Sequence, residues 1–281
     1  MRSDSVFSFI VIAAACSLAA AQSPAGPLPD PRQLMRDVVA HQHTLDKVRE
    51  NYTYTSTQTT QDLDSAGKVT KTESVENDCF FVNGHAVERT VKKNGKALDD
   101  HEQQKETGRV TKQVEKAEKT PRDQPLEGPT ISISRVLDLM DVGVPRREMF
   151  RGRPTIIFDF VGRKDAKTHS MAEDASKKLK GTIWVDEADR EVAHLEAVFI
   201  DNFHIAGGLV VNLQKGSNFK FDQAPVNGGL WLPTGAEGNV QARVLLLKNA
   251  RQHFTEQDSD YKVFSVDTQQ NKDARVVGQK P

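Results

Sequence analysis

The feature that most constrains the fold is the stretch from Gly181 to Phe254, where apolar and polar residues alternate in runs broken by short polar turns. Gly181-Thr182-Ile183-Trp184-Val185-Asp186 is followed by the turn Glu187-Ala188-Asp189-Arg190 and then by a second extended run, Glu191 to Ile200. Successive side chains of a strand point to opposite faces, so an apolar residue at every second position predicts strands with one buried face. Short turns join antiparallel neighbours, and a long antiparallel meander curves. The expected product is a curved sheet that can shelter something apolar.

Upstream of that stretch, Asp30-Pro31 predicts a helix start, with aspartate as N-cap and proline in the first turn. Leu34, Val38, Val39, Leu45 and Val48 share one face of this helix, which runs to about Glu50 and lays its apolar stripe on the sheet. Asn51 to Thr60 turns Tyr- and Thr-rich and reads as a strand. Lys68 to Val82 is extended, and Asn83-Gly84 is a strong hairpin signal with its return strand at Ala86 to Lys92. Leu98 to Lys119 is dominated by Asp, Glu, Gln and Lys; a charged helical insertion projecting from the body is expected there. Prolines break it between Thr120 and Pro129. A short apolar helix carrying Ile131, Val136, Leu137, Leu139 and Met140 follows, then the strand Thr155 to Val161, then strands and turns to Phe264.

The ends carry their own signals. Residues 1–21 read as an export signal: Arg2, an apolar run from Val6 to Ala15, and the small residues Ala19-Ala20-Ala21 at the cleavage position. The run is shorter than the ~20 apolar residues a membrane-spanning helix needs, and no later segment reaches that length. The expected location is periplasmic or secreted, with a lipoprotein anchored at Cys16 as the alternative. Residues 22–29 form a flexible lead-in, residues 30–266 a single domain, and residues 267–281 a polar tail. Cleavage after Ala21 leaves Cys79 as the sole cysteine, so no intramolecular disulfide is available, and Cys79 beside Phe80-Phe81 reads as a small buried apolar residue.

Charge excludes one class: 38 basic against 39 acidic residues leave no basic stripe for nucleic acid. His41 and His43 lie two apart on a helix and diverge, and His169, His194, His204 and His253 are dispersed, so no metal site is expected. The turn Asp186 to Asp189 lacks the glycine and distal glutamate of a calcium loop. Alternation sends Asp159 to the wet face of its strand. Neither a serine elbow nor a phosphate-cradling glycine loop is present, and no cofactor or enzymatic activity is implied.

Two groups of residues are left as binding candidates. The apolar face is Phe158, Phe160, Ile183, Val185, Leu195, Val211, Leu213, Phe219, Phe221, Leu245 and Leu247. It is either plain core under the N-terminal helix or, if the helices cover the sheet incompletely, the lining of a greasy cleft. The polar candidate is the cluster Arg146, Arg147, Arg151 and Arg153, suited to an acidic partner or lipid headgroups.

The strand Gly181 to Asp186 with its Val192 to Leu195 return resembles the LolA/LolB-like superfamily of envelope proteins, which includes outer-membrane lipoprotein-sorting proteins. Gly152-Arg153-Pro154-Thr155 and Gly229-Leu230-Trp231-Leu232-Pro233 are similar to segments of uncharacterised exported bacterial proteins. The resemblance implies an α+β fold with a strongly curved antiparallel half-barrel whose concave face is covered by helices. It implies non-catalytic binding of a lipid, acyl chain or lipoprotein there, or docking of another envelope protein as an interaction or stress-sensing module.

Overall fold

The computed structural model describes residues 26–122, 124, 126, 132–205, 211–226, 228–244 and 248–264. The export signal, Cys16, Ile131, Leu245, Leu247 and the tail lie outside the described residues.

Helix α1 (Pro31–Arg49) begins as its first residues dictate: Asp30 accepts a hydrogen bond from the Gln33 N–H at 2.7 Å, with proline in the first turn. It buries Leu34, Met35, Val38, Gln42 and Leu45. Three further helices are described, α2 (Asp100–Lys119), α3 (Ile133–Asp138) and α4 (Met171–Ser176). The apolar helix expected around Val136 ends at Asp138, and Met140 instead opens a strand. Helix α4 interrupts a region read as strand and turn. Its Ser170 side chain accepts from the Glu173 N–H, a cap that suffices to start so short a helix.

The strands run in chain order β1 (Tyr52–Leu63), β2 (Val69–Val82), β3 (His85–Lys93), β4 (Lys96–Ala97), β5 (Met140–Val142), β6 (Arg146–Phe150), β7 (Arg153–Gly162), β8 (Leu179–Asp186) and β9 (Val192–Phe199). Then follow β10 (Phe203–Ile205), β11 (Val211–Leu213), β12 (Asn218–Val226), β13 (Leu230–Val244) and β14 (Lys248–Val263). All belong to one open antiparallel sheet of order β4-β3-β2-β1-β14-β13-β12-β9-β8-β7, with β5 and β6 in succession along the outer edge of β7. The fold is an α+β half-barrel. Asn83-Gly84 and Arg151-Gly152 turn two of its hairpins with both residues at positive φ, the geometry that suits the strands' twist.

Paired residues share a face, so the register carries a row across the sheet. One row reads Phe158, Ile183, Leu195, Phe221, Ala236, Glu256, Gln58 and Val75. The same face is therefore apolar on the β7–β12 half and polar on the β14–β3 half. Helices α1 and α3 cover the apolar half, where Leu34, Met35, Val38, Val136 and Leu137 join the sheet residues in one buried cluster. The alternation was read with the right face inward: Asp159 is exposed, bound to Arg146 and Thr182 on the opposite side.

Helix α2 corrects an expectation. It does not project; it packs against β3 and β2 and buries Ala117. The reason lies in its polar side chains. Glu106 accepts from the Thr90 N–H at 2.7 Å, Arg109 donates to the Glu88 carbonyl at 2.5 Å, and Gln113 donates to the Ala86 carbonyl at 3.4 Å. Residues 86, 88 and 90 alternate along β3 and turn these backbone groups away from β2. The charged helix thus satisfies a strand edge that otherwise lies open for pairing.

Candidate functional site

The apolar candidates mostly converge. Phe158, Ile183, Val185 and Leu195 are all 0 % exposed, and Phe160 is nearly so; Leu213, Phe219 and Phe221 pack partly buried against them. Val211 lies in β11, its side chain outside the described part, like the whole of Leu245 and Leu247. Leu34, Met35 and Val38 of α1 and Ile133, Val136 and Leu137 of α3 pack with it. A hollow of about 760 Å³ opens at one end of it, where Phe203 belongs both to the buried cluster and to the hollow's wall. Lys164, Lys177, Lys178, His169 and His204 also line that hollow, so its rim is mainly basic, with Asp174 and Asp201 opposing them.

Helix α1 is held over the face by more than its apolar stripe. Gln42, fully buried, donates to the Glu191 carboxylate, and Arg49 donates to the Gln223 side chain and pairs with Asp46 at 2.8 Å. Ser134 of α3 donates to the same Asp46. The fit is incomplete, since Gln42 Oε1 and Arg49 Nε are buried without hydrogen-bond partners. Burial pushes the Glu191 carboxyl up to about 7, against the opposing pull of Arg49 and Gln42. Periodicity finds Leu34, Val38 and Leu45; it cannot find Gln42, a polar residue on the buried stripe.

Each of the four arginines is engaged within the chain. Arg146 pairs with Glu148 and Asp159, both at 3.1 Å, and Arg147 forks onto Glu187 at 2.9 and 2.6 Å and donates to the Gly26 carbonyl. Arg151 holds Asp222 at 2.8 Å while lying over the Phe150 ring, and Arg153 forks onto Asp186 and reaches Asp189 at 2.6 Å. Around Arg151 the hairpin folds onto an aromatic cap: Phe150 stacks on His194 at 5.2 Å, and Trp184 meets His194 edge-on at 4.8 Å. His194 Nδ1 lies 2.7 Å from Asp222. Burial alone raises the Asp222 carboxyl, but His194 and Arg151 outweigh it and hold it below the usual range.

The polar half of the face holds the group that the sequence did not single out. Cross-strand register aligns Glu88 with Cys79 and Cys79 with Tyr54, and beside them Thr90, Asn77, Ser56 and Asp258. Tyr54 stacks on Tyr261 with centroids 5.0 Å apart. Burial first, then mutual repulsion, pushes Asp258 up to about 7 and raises Glu256; burial raises Glu88. Cys79 rises to about 12, mainly by burial, so it stays a thiol at neutral pH. Among the described residues, no group of His, Cys, Asp and Glu is placed to hold a metal ion, and no helix is long and apolar enough to cross a membrane.

No family model and no curated protein matches the chain. Among solved structures it is similar to a DUF1329 family protein from Desulfovibrio piger, at 12% identity over 86% of this chain and 100% of that one, with a TM-score of 0.39. An outer membrane lipoprotein-sorting protein domain from Vibrio parahaemolyticus is similar at 9% identity over 85% and 96% of the two chains, TM-score 0.35. MucB, solved in complex with MucA, is similar at 7% identity over 81% and 99%, TM-score 0.24. At identities of 12% or less and TM-scores below 0.5, none of these structures brings a ligand or a residue role to this chain.

Proposed function

We propose that this chain is an exported, non-catalytic binding protein of the cell envelope that holds a lipid or acyl chain, free or borne by a lipoprotein, between its sheet and helices. The lining is Phe158, Phe160, Ile183, Val185, Leu195, Leu213, Phe219 and Phe221. The observation that carries the reading is the hollow of about 760 Å³ that meets the apolar cluster at Phe203. An acyl chain enters there and advances by displacing α1, whose seat over the sheet leaves Gln42 Oε1 and Arg49 Nε unsatisfied. Each square ångström of apolar ligand surface removed from water contributes about 25 cal/mol before ordering costs. The basic rim suits an anionic head.

The test is native mass spectrometry of the protein purified from its own envelope, with extraction of bound lipid and titration of a fluorescent fatty-acid probe. A co-purifying acyl species, or saturable probe binding that dodecanoate reverses, is the expected result. A protein that emerges empty and ignores the probe overturns the reading.

A further inference from the structure

The acidic half of this sheet face has no part in holding an apolar chain, and its composition is unusual for a sheet interior. Three carboxyls, Glu88 on β3 and Glu256 and Asp258 on β14, act on one another across β1 and β2. Among the described side chains, neither Glu256 nor Asp258 has a cationic partner; Arg109 of α2 acts on Glu88 alone, and Arg49 of α1 lies toward Tyr261. Burying like charges without counter-charge is costly.

A second observation points the same way. Ser56, 1 % exposed, stands on this face between Asn77 and Asp258, and its Oγ makes no hydrogen bond of ordinary geometry, although it lies near enough both carboxyls to draw them down. Asp258 Oδ1 is likewise buried without a hydrogen-bond partner. Buried oxygens without donors are rare because each costs on the order of 1–3 kcal/mol. Glu256 accepts a long 3.4 Å hydrogen bond from the Gln58 amide, Asp258 Oδ1 accepts none, and neither of these two carboxyls has a counter-charge among the described side chains. An ammonium group, with its charge and three N–H donors, supplies donor and counter-charge together.

We propose that the face formed by Glu88, Glu256 and Asp258, with Ser56 at its centre, binds an alkylammonium group carried by a free polyamine or by the head of an amphiphile. A hollow of about 400 Å³, lined by Val226, Asp258, Ser259, Asp260, Tyr261 and Lys262, reaches the cluster at Asp258. The Tyr54 and Tyr261 hydroxyl oxygens stand beside it as further acceptors, Tyr261 donating its own proton to the Pro233 carbonyl at 2.8 Å. A bound ammonium favours the ionised carboxyls, so binding at neutral pH releases protons. Cys79, Tyr54 and Tyr261, the other titratable groups facing the cluster, stay protonated and add nothing to that release.

The experiment is isothermal titration of the intact protein with spermidine and with dodecylammonium, each in two buffers of different ionisation enthalpy. Saturable binding with proton release is expected. Affinity should fall at least tenfold in the double variant Glu256→Gln, Asp258→Asn and several-fold in Ser56→Ala, with dodecanoate binding unchanged. The double variant removes buried repulsion, so it should melt above the parent while losing the ligand. Binding of spermidine assigns the site to free amines, and binding of dodecylammonium alone assigns it to an amphiphile's head. If the parent binds neither amine, or the double variant binds as tightly as the parent, the proposal fails; loss of dodecanoate binding alone touches only the acyl-chain reading.

Discussion

Gln42 on α1 donates its side-chain amide to the carboxylate of Glu191, just ahead of β9, and the two meet where both are sealed from solvent. His41 Nδ1 stands 3.3 Å from the other carboxylate oxygen. The folded state holds the Glu191 proton up to about pH 7 against an ordinary 4.5, so its contribution to stability is complete below about 4.5 and is lost as pH rises through 7. Asp258 adds a loss of the same sign over the same range. The lowered carboxyls Glu106, Glu173, Asp186 and Asp222 act oppositely, stabilising above their unfolded pKa and failing in acid. The Glu191 share is about 2 kcal/mol once screening is allowed for. Urea unfolding at pH 5 and pH 8 should show Glu191→Gln losing that much of the parent's pH dependence; an unchanged difference between the two pH values refutes it.

Arg153 anchors the β6–β7 hairpin to the next turn. Its guanidinium forks onto Asp186, 1 % exposed, which also accepts from the backbone N–H groups of Asp189 at 2.8 Å and Ala188 at 3.1 Å. Burial works to raise that carboxyl, yet the fork and the backbone donors win and hold it low. Arg153→Ala leaves a buried carboxylate short of its cation and should cost about 2 kcal/mol, at the low end for such pairs because the arginine is half exposed. Arg153→Lys keeps the charge and loses the fork, so its urea midpoint should fall between alanine and the parent. A midpoint for alanine equal to the parent's contradicts this account.

Local signals were legible wherever the residues that decide a feature are neighbours in sequence. Ile183, Val185 and Leu195 announce their buried face by alternation, and Asn83-Gly84 and Asp30-Pro31 announce a turn and a cap. Ser170 and Glu173 carry the cap of α4 at the right spacing, but the polar stretch around them hides a helix of one turn and a half. The acidic face was not legible, because Glu88 and Asp258 meet only through the register of β14 on β1, β1 on β2 and β2 on β3. A pattern of period two gives each strand a face without saying which strands adjoin. Helix α2 was misjudged for a related reason: a charged side chain reads as solvated until a strand edge with free backbone groups is placed beside it.

Gly181 tests the close approach of β8 to its neighbours. A Cβ built there collides with the Glu196 carbonyl oxygen and comes within 2.7 Å of the Phe160 ring. The ring of Phe160 thus occupies the space that a side chain would need, and the backbone of β9 cannot withdraw without breaking its pairing. Gly181→Ala should therefore destabilise by about 3 kcal/mol, although alanine is the better strand residue by backbone entropy. Thermal unfolding decides: a melting temperature at or above the parent's means that β8 and β9 tolerate separation.

The edge of β3 gives the last prediction. Glu106 and Arg109 of α2 occupy the Thr90 N–H and the Glu88 carbonyl, and they bind each other, Nη2 to Oε1 at 2.6 Å, so the helix is held as a unit. Removing both in Glu106→Ala, Arg109→Ala forfeits two hydrogen bonds to the strand, about 1 kcal/mol each. The larger consequence is geometric, because the freed groups form a template for a second copy's strand. Light scattering across a concentration series should show the double variant self-associating where the parent stays at constant mass. The single variant Lys112→Ala, on the same helix but outside these contacts, should behave as the parent. If the double variant does not associate, the backbone of β3 is protected by something other than these two side chains.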